Sequence, residues 1–466
     1  MTIRLFNTMG REIQEFHPLA ADSVSLYTCG PTVYDFAHIG NLKTYVFEDV
    51  LRRTLEYFGF HVRHVMNVTD VGHLSSDADE GDDKMVKSAR QKGKTIWEIA
   101  DFYTKAFFTD VGRLNCLVPE VVCKATDHIA EMIALIEKIE KNGYTYLADG
   151  NVYFDISRFP SYGKMALLDR QELKAGARIA VDSGKKNPFD FVLWFTKSKF
   201  ENQAMLWDSP WGKGYPGWHI ECSAMSMKYL GERIDIHCGG IDHIPVHHTN
   251  EIAQSEAATG KPWVNYWLHG EFLNMGSVKM AKSAGNFTTL SSLVEKGYNP
   301  LDYRYYLLGA HYRSPLQFGQ EALDAAKTAR RGLVDRILRL KGSVAPAAPI
   351  GGKAAEYLKS FQSNAAEDLN MPRCLADLWT LLRDPEVPDD GKLAAALDMD
   401  RILGLDLANE KPEEAPKADS EAEALIRERE EARKRKDFRR ADEIRDILLA
   451  KGYRLEDGAS GTRIKR

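Results

Sequence analysis

Apolar residues change their spacing along this chain, and each change marks an element. Val24-Ser-Leu-Tyr-Thr28 reads as a strand. From Asn41 to Phe58, the residues Val46, Val50, Leu51, Leu55 and Phe58 recur close to every 3.6 positions, which predicts a helix closed by Gly59. Val62 to Val68 predicts a second strand, ending in Asn67-Val-Thr-Asp70. Strand, helix, strand in this order is a βαβ unit and argues for a parallel sheet. Polar residues at the C-terminal ends of its strands then line a ligand crevice.

Residues 75–86 form an acidic loop, and helical spacing returns over 95–113 and 126–141. At 144–156 the pattern alternates every two residues around Asp149-Gly150, which predicts a β-hairpin. This change of period suggests an insertion in the α/β region, about Cys116 to Lys199. The sheet resumes with Ile234-Asp-Ile-His237, followed by a helix from His247 to Ala258. A polar loop with two lysines spans 279–286. Ala322, Ala326, Ala329, Leu333, Ile337 and Leu340 predict an amphipathic helix over 319–341. After a Gly/Pro/Ala spacer at 342–352, helices at 353–366, 372–384 and 391–403 complete a bundle. Residues 409–419 read as a second linker, and a charged helix–helix–strand module follows from Ser420. No internal repeat is visible.

Composition narrows this picture only a little. A chain of 466 residues holds two to four domains by length. Hydrophobic content of 44% and charged content of 28% are ordinary for a soluble globular protein. No apolar run has membrane-spanning length, and the N-terminus lacks the apolar stretch of a secretory signal, so a cytoplasmic location is expected. The six cysteines are scattered and read as free thiols or metal ligands rather than a disulfide framework. The net charge of −5 does not advertise nucleic-acid binding, but a local basic face decides that question, not the total.

Chemistry concentrates in three stretches. The turn Cys29-Gly-Pro-Thr-Val-Tyr-Asp-Phe-Ala-His-Ile-Gly-Asn41 joins the first strand to the first helix. Backbone N–H groups and the positive end of the helix dipole both point at such a turn, which suits phosphate. His247 and Glu251 sit one helical turn apart and can meet one metal, and Cys29 and Cys222 can add two thiolates. His237, Cys238, His243 and His248 are rival ligands that the spacing does not rank. A His/Glu pair at this spacing is also common on helix surfaces, and a lone cysteine is often only a buried apolar thiol. His38-Ile-Gly-Asn41 and Lys279-Met-Ala-Lys-Ser283 are each short, but their order allows a clamp on one triphosphate from two sides. Gly40 permits close approach of a nucleotide, and two ammonium groups stabilise charge when pyrophosphate leaves.

The last pair resembles the two signatures of class I aminoacyl-tRNA synthetases. Thr28-Cys-Gly-Pro-Thr-Val-Tyr-Asp35, Pro216-Gly-Trp-His-Ile-Glu-Cys-Ser-Ala-Met225 and the segment His237 to Glu251 are similar to those of the cysteinyl-tRNA synthetase family, and the resemblance spans nearly the whole chain. It implies a Rossmann-type parallel-sheet catalytic domain split by an α+β insertion, then a helical bundle and a small mixed α/β domain. Laid on this sequence, the parts are 1–115 and 200–275 (the two catalytic halves), 116–199 (the insertion), 276–318 (lysine loop and stem-contact region), 319–408 (tRNA-binding bundle) and 420–466 (anticodon-binding module). The reaction implied is activation of L-cysteine by ATP, with magnesium, and its transfer to tRNA(Cys), in a monomer. The resemblance implies one zinc ion on Cys29, Cys222, His247 and Glu251, holding the substrate sulfur as a thiolate. That role makes chemical sense, because a soft thiolate binds zinc far better than the hydroxyl of serine, an isostere that an ordinary pocket rejects poorly.

By the same resemblance, Gly30, Thr69 and Trp218 line the cysteine pocket. His38, Gly40, Asn41 and Asp242 contact ATP, and Lys279 and Lys282 hold its phosphates, with His38 and both lysines in catalysis. Two positions depart from the family signatures: Asn41 stands where histidine is usual, and Ala281 where serine is usual. In the tail, Arg433-Lys-Arg-Lys-Asp-Phe-Arg-Arg440 is a basic face carrying an aromatic ring, which fits RNA contact, although nearby Glu428, Glu430 and Glu431 also fit a merely solvated helix. Two rivals share parts of this reading: a related ligase joining cysteine to an amino-sugar, which needs no RNA-binding tail, and a non-catalytic paralogue that binds RNA or senses zinc.

Overall fold

A computed structural model describes residues 1–71, 84–168, 184–197, 205–275, 278–279, 287–344, 349–412, 420–450, 453–458 and 461–465. The frame is a five-stranded parallel sheet. Its spatial order is Val264–Gly270, Ile234–Gly240, Ser23–Thr28, His61–Val68 and Val121–Lys124. The chain therefore builds outward from Ser23–Thr28 in one direction, returns, and builds outward in the other. Such a reversal leaves a crevice beyond the carboxyl ends of the two central strands.

The two-residue period of each strand sends neighbours to opposite faces, and two cores result. Leu26, Met66 and Leu268 join a core that includes Leu42, Val46 and Val50 of the Ile39–Tyr57 helix. Tyr27, Val65 and Trp267 join a second core with Met132, Ile136 and Ala253 from the helices Ile129–Lys141 and His247–Thr259. Helices thus cover both faces, as a parallel sheet requires. The first helix starts two residues earlier than its apolar period predicts, at Ile39.

Past Cys116 the chain first adds Val121–Lys124 to the parallel sheet, pairing with Val65–Val68. Antiparallel pairing begins at Thr145, and a four-stranded sheet follows: Thr145–Ala148, Asn151–Phe154, Phe191–Phe195 and Tyr215–Pro216. Its first turn is the Asp149-Gly150 pair, with φ of 50° and 90°, the two left-handed positions that a two-residue hairpin turn demands. The acidic stretch at 75–86 lies outside the described residues up to 83, and Lys84–Lys92 is helical.

Helices Gln320–Ser343, Gly352–Ala366, Met371–Arg383 and Asp389–Leu403 pack through Leu333, Phe361, Leu378 and Met399. They belong to one compact unit, Met1–Ala408. Asn409–Arg466 is a second unit. In it, helices Ser420–Lys434 and Phe438–Ala450 meet through Ala422, Ile444 and Leu448. Two antiparallel strands follow, Arg454–Gly458 and Gly461–Lys465, where the sequence predicts one. Among the described residues no helix is long and apolar enough to cross a membrane.

Candidate functional site

At the reversal of strand order, Cys29 follows Thr28 out of one strand and its N–H donates to Cys238 O of the neighbouring strand at 3.2 Å. A cavity of about 670 Å3 opens there. Cys29, Gly30, His38, Gly40, Asn41, Thr69, Trp218, Cys222, Asp242 and His247 all line it. Residues from positions 29 to 247 thus converge on one cleft, and the parallel sheet is what brings them together.

At one end is the start of the Ile39–Tyr57 helix. His38 is its N-cap, and its Nδ1 accepts from the Asn41 N–H at 3.0 Å. Asn41 Oδ1 in turn accepts from the His38 N–H at 3.2 Å. This reciprocal pairing satisfies two of the orphan donors at the helix start and fixes both side chains at the cavity rim. A Cβ on Gly40 would lie 3.0 Å from the His38 ring, so glycine keeps that ring close. Asp242 lies in the single turn Ile241–His243 after the Gly239-Gly240 pair. Lys279 ends the short strand Val278–Lys279, which pairs with Asn274–Met275 beside the cavity wall residue Leu273. Lys282 lies outside the described residues. The chain returns at Phe287, whose ring is 5.9 Å from that of His38, and Thr288 O accepts from the Ile39 N–H at 2.9 Å. The downstream flank of the lysine loop therefore runs beside the helix start.

At the other end, Cys29, Cys222, His247 and Glu251 are buried and bring one ligand atom each within 4.8 Å of one another. His247 and Glu251 come from one face of the His247–Thr259 helix, and Cys222 from the Trp218–Leu230 helix. Two sulfurs, one imidazole and one carboxylate suit zinc. Glu251 Oε1 lies 2.7 Å from His247 Nε2 yet has no aligned hydrogen-bond partner among the described residues, which leaves its lone pairs toward the cluster. Burial pushes the Cys222 thiol up, but hydrogen bonds from Cys29 and His247 outweigh it and bring Cys222 down to about 6. Burial and the neighbouring Cys222 raise Cys29. His247 Nδ1 pairs with His219 Nδ1 at 2.9 Å, a contact that orients the ring and leaves Nε2 for the cluster.

The rival ligands are close by. Cys29, His237, His248 and Glu251 also lie within 4.8 Å of one another. His237 Nε2 is 2.7 Å from Glu251 Oε2, and His248 Nδ1 is 2.8 Å from His269 Nε2. Neither His237 nor His248 lines the cavity, whereas Cys29, Cys222 and His247 do. His243 lines it too, as a base held down to about 4, chiefly by burial. Cys238 is buried in the sheet and its thiol is pushed up.

Between the two ends, Trp218 places its ring 4.5 Å from that of His247. Gly30 is confined by the strand end beneath it: a Cβ there would meet Asn67 O at 1.6 Å. The Gly30 N–H donates to Asn67 Oδ1 at 2.8 Å, Asn67 Nδ2 donates to Thr69 Oγ1 at 3.2 Å, and Thr69 Oγ1 donates to Glu221 Oε2 at 2.9 Å. Glu221 and His219 are given no role by the sequence reading, whereas Asn67 belongs to the polar strand end expected at the crevice and does line the cavity. Asn67 sits at a strand end, and His219 and Glu221 sit inside the Trp218–Cys222 run; both locations carried a signal.

Residues 15–328 match the family described as tRNA synthetases class I (C) catalytic domain, and residues 415–463 match the cysteinyl-tRNA ligase anticodon binding domain. A cysteine--tRNA ligase of Treponema denticola is 52% identical over 491 aligned positions covering 100% of both chains. Cysteine--tRNA ligase 1 of Burkholderia lata is 51% identical, covering 100% of this chain and 97% of that protein. Among solved structures, methionyl-tRNA synthetase of Mycobacterium tuberculosis in complex with methionyl-adenylate superposes with a TM-score of 0.57 at 15% identity, over 82% of this chain and 90% of that one. That last likeness is one of fold.

Proposed function

The chain belongs to the cysteinyl-tRNA ligase family of class I synthetases, and on that premise we propose how its site works. It activates L-cysteine with ATP and magnesium, forming cysteinyl-adenylate and pyrophosphate, and then passes the cysteinyl group to the 3′ end of tRNA(Cys). The observation that carries this reading is the convergence, in one 670 Å3 cavity, of a thiol-rich metal cluster and a capped helix start.

Cys29, Cys222, His247 and Glu251 would hold one zinc ion per chain. Their placement supports this choice over the His237/His248 set, because three of the four reach the cavity wall. When bound, zinc supplies a soft Lewis acid that retains a substrate thiolate and passes over a hydroxyl. The protein's own groups do the rest. Trp218 closes the side-chain end of the pocket, and Gly30 lets the pocket wall lie against Asn67 O, which any side chain would strike. His38, Gly40, Asn41 and Asp242 receive the nucleotide, and Lys279 and Lys282 the phosphates. Attack of the cysteine carboxylate on the α-phosphate needs no covalent nucleophile from the protein. Positioning and charge stabilisation suffice.

The six-part division from 1–115 to 420–466 assigns catalysis to the sheet, stem contact and bundle to RNA, and the final module to the anticodon. The basic face around Phe438, which is exposed, supports the last assignment. A single chain carries every proposed site residue, so a monomer suffices. A cytoplasmic location fits six cysteines that are all free thiols.

Cysteine-dependent exchange between ATP and pyrophosphate, followed by charging of tRNA(Cys), tests the reading. Exchange and charging are both expected. Exchange without charging would instead identify a small-molecule cysteine ligase, and absence of exchange would leave a non-catalytic RNA- or zinc-binding protein.

A further inference from the structure

The chain Gly30–Asn67–Thr69–Glu221 has a direction. Asn67 Oδ1 is occupied by the Gly30 N–H, so its amide nitrogen faces Thr69 Oγ1 and donates to it. The Thr69 hydroxyl proton then goes to Glu221 Oε2. A hydroxyl has one donor, and here it is used. What Thr69 still offers the cavity is lone-pair density alone. Behind it, Glu221 is 1% exposed, and its Oε1 has no hydrogen-bond partner among the described residues. A buried carboxyl with an unused oxygen costs stability unless something occupies the site in the working state. A cationic N–H donor at this wall would meet the Thr69 lone pair, which the carboxyl behind it makes more basic through the shared hydroxyl proton.

We propose that Glu221, acting through Thr69, is the positioning residue for the α-ammonium group of the amino-acid substrate. This rests on the cysteine-activating reading above and adds to it a residue and the substrate group it serves. The thiol end of the substrate lies toward Cys29, Cys222 and His247. The ammonium lies toward Thr69 and Glu221. The carboxylate is then the remaining group, free to turn toward the helix start. Three substituents on one carbon, each with its own wall, also select the hand of the amino acid.

The test compares L-cysteine with 3-mercaptopropionate, which keeps the thiol and carboxylate and lacks the amine. In Glu221→Gln the KM for cysteine in the exchange assay rises roughly tenfold to a hundredfold, the range for one charge-assisted hydrogen bond. The KM for ATP, the zinc content and the inhibition constant of 3-mercaptopropionate stay at wild-type values. Thr69→Val removes the connecting hydroxyl and gives the same split, and it serves if Glu221→Gln folds poorly. Equal weakening of both thiols would overturn the proposal and make Glu221 a packing residue. An unchanged cysteine KM would overturn it as well. Either result with an active wild-type enzyme leaves the cysteine-activating reading intact, whereas an inactive wild type removes that reading itself.

Discussion

His38 and Asn41 cap each other: each side chain accepts a hydrogen bond from the other's backbone N–H, at 3.0 and 3.2 Å. Asn41 departs from the histidine usual in the signature, yet its amide oxygen closes the cap. Asn41→Ala removes one half of it and should cost about 1 kcal/mol of stability. Urea unfolding measures that cost. In the exchange assay the KM for ATP should rise while the KM for cysteine holds. Equal changes in both would place Asn41 outside the nucleotide site.

Zinc content and cysteine activation should fall together in Cys222→Ser, by roughly a hundredfold or more in activity, since removing even an outer partner of a metal ligand costs about ten- to a hundredfold. His219→Phe is the graded version. It removes the contact on His247 Nδ1 and should weaken zinc retention against a chelator about ten- to a hundredfold. Full activity in metal-free protein would refute the metal assignment.

Arg304 is fully buried and joins the first helix to the C-terminal ends of two others, Ile96–Arg113 and Asp389–Leu403. It donates to Asp49 Oδ2 at 2.6 Å, to Leu403 O at 2.7 Å and to Leu114 O at 3.0 Å. Burial pushes the Asp49 carboxyl up, but Arg304 and Arg53 outweigh it and hold Asp49 below its usual range. Its folded pKa is thus the lower one. The pair's contribution is present above the unfolded carboxylate pKa of about 3.9 and is lost as pH falls through the folded value. Arg304→Met should cost about 3–5 kcal/mol at neutral pH and show a shallower loss on acidification than wild type. An unchanged acid limb would show that Arg53 alone keeps Asp49 charged.

Lys43 is shifted in the same direction, but far higher on the pH scale and by burial instead of by a charged partner. Burial lowers its pKa from 10.5 to about 8, and its Nζ donates to the carbonyls of Glu271 and Tyr312. Between pH 8 and 10.5 the unfolded chain binds more protons than the folded one, so this residue makes stability rise with pH across that window. The gain is of order 3 kcal/mol. Lys43→Met should flatten the rise, and paired denaturation curves at the two ends of the window measure it. A parallel offset would mean that Lys43 keeps an ordinary pKa.

The first βαβ unit, the Asp149-Gly150 hairpin and the bundle helices were legible because each has one buried and one wet face, and so a period. The Pro300–Leu308 helix was not. Asp302 to Leu308 are all buried, and a helix enclosed on every side has no period to read. Only its cap, Asn299 before Pro300, signals it. The Trp218–Leu230 helix is hidden the same way, with His219 to Ser226 buried in succession. Val121–Lys124 is too short to show alternation. In the site, the family resemblance named the four metal-ligand candidates, whereas spacing alone could not separate them from His237, Cys238, His243 and His248. The link between Thr69 and Glu221 spans 152 positions and exists only in the folded chain.

The four clustered ligands come from three segments, and Cys29 stands almost two hundred residues before Cys222. An ion held by all of them is a cross-link closing a very long loop, and the free energy of holding it counts toward folding. Substrate choice and mechanical integrity would then share one bond network. Stripping the metal should blunt discrimination between thiol and hydroxyl and also let the strand ends at Thr28 and Gly240 open to hydrogen exchange, so that loss of fidelity and loss of rigidity arrive together.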